Sequence, residues 1–300
     1  MTRSKWVIGV VALCVFWAIG TIAPGMAVGG AAHGGEEHKS PKVGILLVAF
    51  GSSETSAQVS FENIQRKVTA AFPAADVRWA YTSHVIRAKL ADRGKALDSP
   101  TLALARLQDE GFTRVVVQSL HTIAGAEYQD LERTVNGFKA MEAFQKIVLG
   151  DPLMVTRADV AAVVTAITGI IPKERKQSDA VVLMGHGTCH PASAYYSALA
   201  FQLQLKDANI FLGTVEGFPD MALVQNQMQA RHIQKAFLMP FMSVAGEHAK
   251  NDMAGDDSDS WKSLFSKAGI ECVPVMKGTA EYDAFVGIWV GHIRSAMEGI

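Results

Sequence analysis

Residues 43–50 read VGILLVAF, with almost no polar interruption. A strand with one face in water alternates apolar and polar residues. A run this continuous needs cover on both faces, as in the parallel sheets of α/β proteins. Runs of the same kind recur at 76–81, 114–120, 146–149, 180–184, 210–215, 235–240 and 272–275. Helical patterns lie between them. One follows Gly51-Ser52-Ser53 to Ala71 and is stopped by Pro73; others cover 84–90, 100 to about 110, 127–144, 192–206, 220–231 and 284–297. Strands alternating with helices imply parallel βαβ units, hence an α/β fold.

The second half of the chain resembles the first. VGILLVAFGSS is echoed by AVVLMGHGTC, and SLHTIAGAEY by PFMSVAGEHA, so that Gly125 matches Gly246 and Glu127 matches His248. Such self-similarity reads as an old duplication giving two similar α/β domains with parallel central sheets across a cleft. The expected spans are 42–170 and 171–300, with the crossover near the polar stretch 171–176.

Ahead of the first strand, Arg3 and Lys5 precede the apolar run 6–22, then Pro24 and a small-x-small site at Gly25-Met26-Ala27. That is the layout of a cleavable secretory signal peptide over 1–27, which places the mature protein in the periplasm. The competing reading is an uncleaved anchor, for which a span of ~20 apolar residues is wanted. Cys14 lies inside the run after Leu13, which excludes lipidation at a cleavage point. Residues 28–41 are Gly-rich and polar, a flexible linker holding His33 and His38. A net charge of -1 gives no basic field for nucleic acid, and three cysteines are too few for a disulfide framework. The terminal helix, with Phe285, Ile288, Trp289 and Ile293 at helical spacing, is expected on the protein's own core; a homo-oligomer interface is its other reading.

Ligands of open α/β sheets gather beyond the strands' C-terminal ends. The run 180–184 stops at Gly185-His186-Gly187-Thr188, the next run at Glu216, and the third leads through Gly246 to His248. A carboxylate straight after an apolar strand is costly to bury unpaired and wants a cation or water. Two imidazoles and one carboxylate suit a borderline divalent ion, and three protein ligands leave coordination positions open, as in delivery or catalysis. His186, Glu216 and His248 are therefore expected to form one metal site. His190 is a supporting group or a helix cap. Asp252, Asp256, Asp257 and Asp259 form an acidic run, read as a solvated capping loop or as a funnel for cations. His121 and Glu127 face the same cleft from the first half, to hold a ligand or accept protons.

At HGTCHP, VEGFPD and AGEHAKNDMAGDDSDSW the chain resembles the anaerobic cobalt chelatases of vitamin B12 synthesis, class II chelatases related to ferrochelatase. The resemblance runs from about Val43 to the C-terminus and includes QSLHTIAGAEY. It implies two α/β domains with the active site between them, and a His-Glu-His metal triad that falls on His186, Glu216 and His248. It also implies that His186 is the proton acceptor, that the substrates are sirohydrochlorin and a divalent metal (Co²⁺ favoured, Fe²⁺ accepted), and that two ring protons are released. Ser52 and Ser53, with Arg87 or Lys89, are candidates to hold substrate carboxylates. Export departs from the family, whose tetrapyrrole is made in the cytoplasm. The alternative is a periplasmic metal or haem carrier on the same fold, with His84 as haem ligand; a transporter's solute-binding protein has no need of the triad.

Overall fold

The computed structural model describes residues 41–300. The leader, and all of the linker but its last residue, lie outside them, as do His33 and His38. The first sheet contains β1 (Val43–Ala49), β2 (Asp76–Tyr81), β3 (Arg114–Ser119) and β4 (Lys146–Gly150), all parallel in the order β2-β1-β3-β4. The second contains β5 (Ala180–Gly187), β6 (Ile210–Glu216), β7 (Lys235–Phe241) and β8 (Glu271–Pro274), parallel in the matching order β6-β5-β7-β8. The expected α/β architecture and the repeat of its plan are both present. β1 and β5 are inner strands, as are β3 and β7, and five positions of β1 from Ile45 to Ala49 are at most 2% exposed.

The helices follow local signals. α1 (Gln58–Ala71) buries Phe61, Ile64 and Val68 on one face. α2 (His84–Ala91) and α3 (Pro100–Asp109) are capped by the hydroxyls of Ser83 and Ser99, with Pro100 in the first turn of α3. α4 spans Ala126–Ala140 and stops short of the expected 144. Glu142 turns left-handed (φ 51°), and this folds Phe144 back onto Phe138 with ring centroids 6.0 Å apart. α5 (Arg157–Gly169) was not among the expected helices, although Thr156 and Asp159 form a complete capping box at its start. α6 (Ala194–Lys206), α7 (Met221–Ala230), α8 (Trp261–Lys267) and α9 (Asp283–Met297) complete the order. None of the helices among the described residues is long and apolar enough to cross a membrane.

One apolar cluster runs through both halves, from Ile45 and Leu47 through Val163 and Ile167 to Leu183, Met239 and Trp289. α9 belongs to the second half by sequence, yet it packs on β3, β4 and α1 of the first. α5, the corresponding helix of the first half, packs on α6 and α9. His292 of α9 sits between the Asp151 carbonyl (3.1 Å) and the Asp159 carboxylate (3.1 Å). Burial opposes ionisation of Asp159, but N–H bonds from Thr156 and Val155, the Thr156 hydroxyl and His292 outweigh it, so its carboxyl is held below the usual value.

A depressed carboxyl contributes stability that is complete above its unfolded value of about 4 and is lost as pH falls through the lower folded value. Asp159→Asn is expected to lose roughly 1–2 kcal/mol at pH 7, the usual worth of a good cap. Urea unfolding at pH 7 and again below pH 4 checks it: the gap between wild type and variant should close on the acid side.

Candidate active site

β5 runs three residues past the apolar stretch that marks it in the sequence, because Gly185 and Gly187 keep pairing with Thr214 and Glu216 of β6. At Gly185 a Cβ would stand 2.7 Å from the Tyr196 ring, so glycine lets that ring close over the strand. At Gly187 the backbone is left-handed (φ 80°), and a Cβ would meet the Glu216 carbonyl oxygen at 1.7 Å. Between these glycines the His186 side chain leaves the sheet at its C-terminal edge. Its Nδ1 lies 3.1 Å from the Gly187 carbonyl oxygen. A carbonyl only accepts, so Nδ1 carries the proton and the Nε2 lone pair is free.

His248 approaches from beyond β7, at the start of a short π-helical turn, Ala249–Met253. Its ring meets that of His186 edge to face, with centroids 4.8 Å apart. The Asp252 carboxylate, one turn on, holds His248 Nδ1 at 2.5 Å. Its Nε2 is thereby left to a ligand, the arrangement found behind metal-binding histidines. Glu216 ends β6 on the same cleft, its side chain exposed to water. Among the described residues no three His, Cys, Asp or Glu side chains stand as a ready-made metal cluster. The two imidazoles are together; Glu216 is the member turned outward, where an unpaired carboxylate keeps its hydration.

The cleft encloses about 390 Å³ and is lined from both halves. Ser52 and Ser53 after β1, His121 and Glu127 around the β3–α4 loop, and His186, Glu216 and His248 all lie on it. So do Thr188 and Ser243, which sequence reasoning did not single out. Two ion pairs bridge the halves at the rim, Lys250 with Glu54 and Lys89 with Glu247 at 3.8 Å.

Other candidates fall elsewhere. His190 Nδ1 accepts the Ala192 N–H at 3.1 Å and caps a 3-10 turn, so it serves the backbone and does not line the cleft. His84 is exposed at the first residue of α2, away from the cleft lining. The acidic run divides its labour: Asp252 orients His248, Asp256 pairs with Lys262 at 2.6 Å, and the Asp257 carbonyl takes the Ser260 N–H just before α8. The part played by Asp252 was missed, although its place four residues after His248 was the available signal. Cys189 and Cys272 are unpaired.

Residues 43–298 match the family model described as cobalt chelatase (CbiK). This chain belongs to the cobalt chelatase (CbiK) family. It is 40% identical over 259 residues to the sirohydrochlorin cobaltochelatase CbiKC of Nitratidesulfovibrio vulgaris, covering 86% of this chain and 92% of that one. It is 35% identical over 258 residues to the sirohydrochlorin cobaltochelatase of Salmonella typhimurium, covering 85% and 97%. Among solved structures this CbiK chain is similar to SirB from Bacillus subtilis with Fe³⁺, at 15% identity and a TM-score of 0.58 over 85% of this chain and 95% of that one. It is also similar to the sirohydrochlorin chelatase SirB of Bacillus subtilis subspecies spizizenii in complex with cobalt (TM-score 0.55, 15% identity, 86% and 96% covered). At such identities the likeness is one of fold, the class II chelatase fold.

Within this CbiK chain the Gly187 contact sets the geometry of the whole strand edge. Gly187→Ala is expected to lower stability by about 2 kcal/mol or more, since it combines a left-handed backbone with a backbone clash. Thermal unfolding measures that loss, and cobalt titration should show affinity falling with it.

Proposed function

We propose that this chain inserts a divalent metal, Co²⁺ by preference and Fe²⁺ also, into sirohydrochlorin with release of two protons. The naming of both curated relatives supports the reaction. The observation that carries it to these residues is the pair of facing imidazoles, His186 and His248, each with Nδ1 committed and Nε2 open to the same cleft. In this reading Glu216 swings from water to complete the ligand set when a cation arrives. Nitrogen and carboxylate donors accept cobalt and iron alike, so availability as well as affinity decides which metal is used.

The same lone pair on His186 cannot hold a metal and a proton together. The metal therefore first leaves His186 Nε2 for an unprotonated ring nitrogen, and the vacated lone pair then takes the proton of a neighbouring pyrrole N–H, whose nitrogen binds the metal as that proton leaves. Imidazole is the side chain whose chemistry suits taking up and giving back a proton at neutral pH. The Glu216 carboxylate, released in the same transfer, takes the second proton, and the exposed cleft mouth returns both to water. Ser52 and Ser53, on the first-half wall, are proposed to contact substrate carboxylates. No observation on the described residues favours the haem-carrier alternative.

An anaerobic absorbance time course with sirohydrochlorin and Co²⁺ or Fe²⁺ tests the reading. Wild type should form the metallated ring well above the enzyme-free rate, and His186→Ala should fall by two orders of magnitude or more, as expected for loss of a combined base and ligand. Wild type at the enzyme-free rate with both metals would sink the chelatase reading.

We also propose that residues 1–27 are a leader removed on export and that the mature enzyme is periplasmic, on the strength of the charged, apolar and small-residue order of that segment. The intact mass of the protein from a periplasmic fraction should begin near Val28; a full-length mass in the cytoplasm would contradict it.

A further inference from the structure

His121 lies two residues beyond β3 on the cleft wall. Its Nδ1 is 2.9 Å from the Ser119 hydroxyl, and that hydroxyl oxygen also accepts the His121 backbone N–H at 3.3 Å. Ser119 is fully buried. A serine hydroxyl has one proton and two lone pairs. One lone pair is taken by the backbone N–H, and the proton finds its acceptor, among the described residues, in His121 Nδ1. The ring proton of His121 must then sit on Nε2. That atom is shielded from solvent and has no partner in the protein. Burial pushes the imidazole down to about 4, so it stays neutral throughout the neutral range.

The consequence is a dry, uncharged N–H with nothing to bond, on a residue that lines the cleft. It has no free lone pair to offer a metal, and a ring so reluctant to ionise does not collect pyrrole protons near pH 7. This sets it apart from His186, whose Nε2 presents a lone pair. An unmade buried donor is costly, and the cost disappears when an acceptor arrives. An anionic acceptor gains most, because charge-assisted bonds are the strong ones. In the repeat, SLHTIAG aligns with PFMSVAG, and the position matching His121 is Met242, which has no donor. The donor is thus on one wall only.

We propose that His121 Nε2–H, closed off from water in the free protein, is uncovered as the tetrapyrrole enters and receives one of its peripheral carboxylates, fixing which edge of the ring meets the first-half wall. The inference rests on the chelatase reading for the identity of the ring and not for the existence of the donor.

Three measurements on the full mature chain test it. Sirohydrochlorin is titrated without metal, by absorbance, against wild type, His121→Phe and His121→Gln. The phenylalanine should weaken binding by about 10–100-fold, the range for a lost bond to a charged group, and the glutamine, whose amide N–H reaches a similar position, should restore most of it. Steady-state assays with Co²⁺ should place the loss in KM for the ring, with kcat and the affinity for Co²⁺ little changed. A long-range ¹H–¹⁵N spectrum of the unliganded wild type should show His121 protonated on Nε2 and bare on Nδ1, with the preference lost in Ser119→Ala. Ring binding unchanged in His121→Phe overturns the proposal. So does a loss confined to kcat, which would assign His121 to the chemistry, or an Nδ1-protonated ring in the spectrum. A wild type that binds the ring without metallating it sinks the chelatase reading and leaves the donor standing; one that does not bind the ring sinks both.

Discussion

Where β5 and β6 end, the Gly187 backbone stands so close to the Glu216 carbonyl oxygen that a Cβ would lie 1.7 Å from it. Everything chemical in this protein is arranged around that approach. It holds two strand ends in register for two more pairs than the apolar run 180–184 alone would carry. It also leaves His186 projecting from the strand edge between two residues that have no side chains of their own. The His186 Nδ1 bond to the Gly187 carbonyl then fixes which nitrogen faces the cleft. A turn built any other way would leave the imidazole free to rotate, and a ring that rotates is a poor base and a poor ligand.

The two halves share strand order but not chemistry. The second supplies the lone pairs: His186 and His248 with their Nδ1 atoms tied down, and Glu216 in water beside them. The first supplies hydroxyls and a neutral N–H. A metal-inserting site needs this division. The ion must be held weakly enough to leave, which argues for few ligands and an open side, while the macrocycle must be held firmly and in one orientation. In the proposed mechanism each wall takes one of these two tasks.

Much of the architecture was legible because buried parallel strands announce themselves as unbroken apolar runs, and because Ser99-Pro100 and Pro73 punctuate helices by known stereochemistry. The strand-end rule brought His186, Glu216 and His248 to one cleft before any coordinates. α5 was legible and was missed: Val160, Val163, Val164 and Ile167 sit at the i, i+3, i+4, i+7 spacing of one helical face, and only the exposed Ala161 and Ala162 blur its solvent side. The stop of α4 depends on a left-handed Glu142 that sequence gives no reason to expect. The tautomer of His121 was out of reach altogether, because it is decided by the burial of Ser119 and by a backbone N–H, neither visible in a string of letters. The bonds that assign His190 to a turn and Asp252 to His248 are of the same kind.

The exchange of closing helices has its own meaning. α9 leaves the second half to cover β3 and β4, while α5 leaves the first to lie on α6. Two separate subunits built this way would be called domain-swapped. Here the swap is sealed within one polypeptide, so neither half can withdraw its arm without uncovering its neighbour. The shared strand order gives both halves one frame, while their cleft walls carry different side chains. In a symmetric pair of identical chains a substitution on one wall would recur on the other; in this single chain it does not.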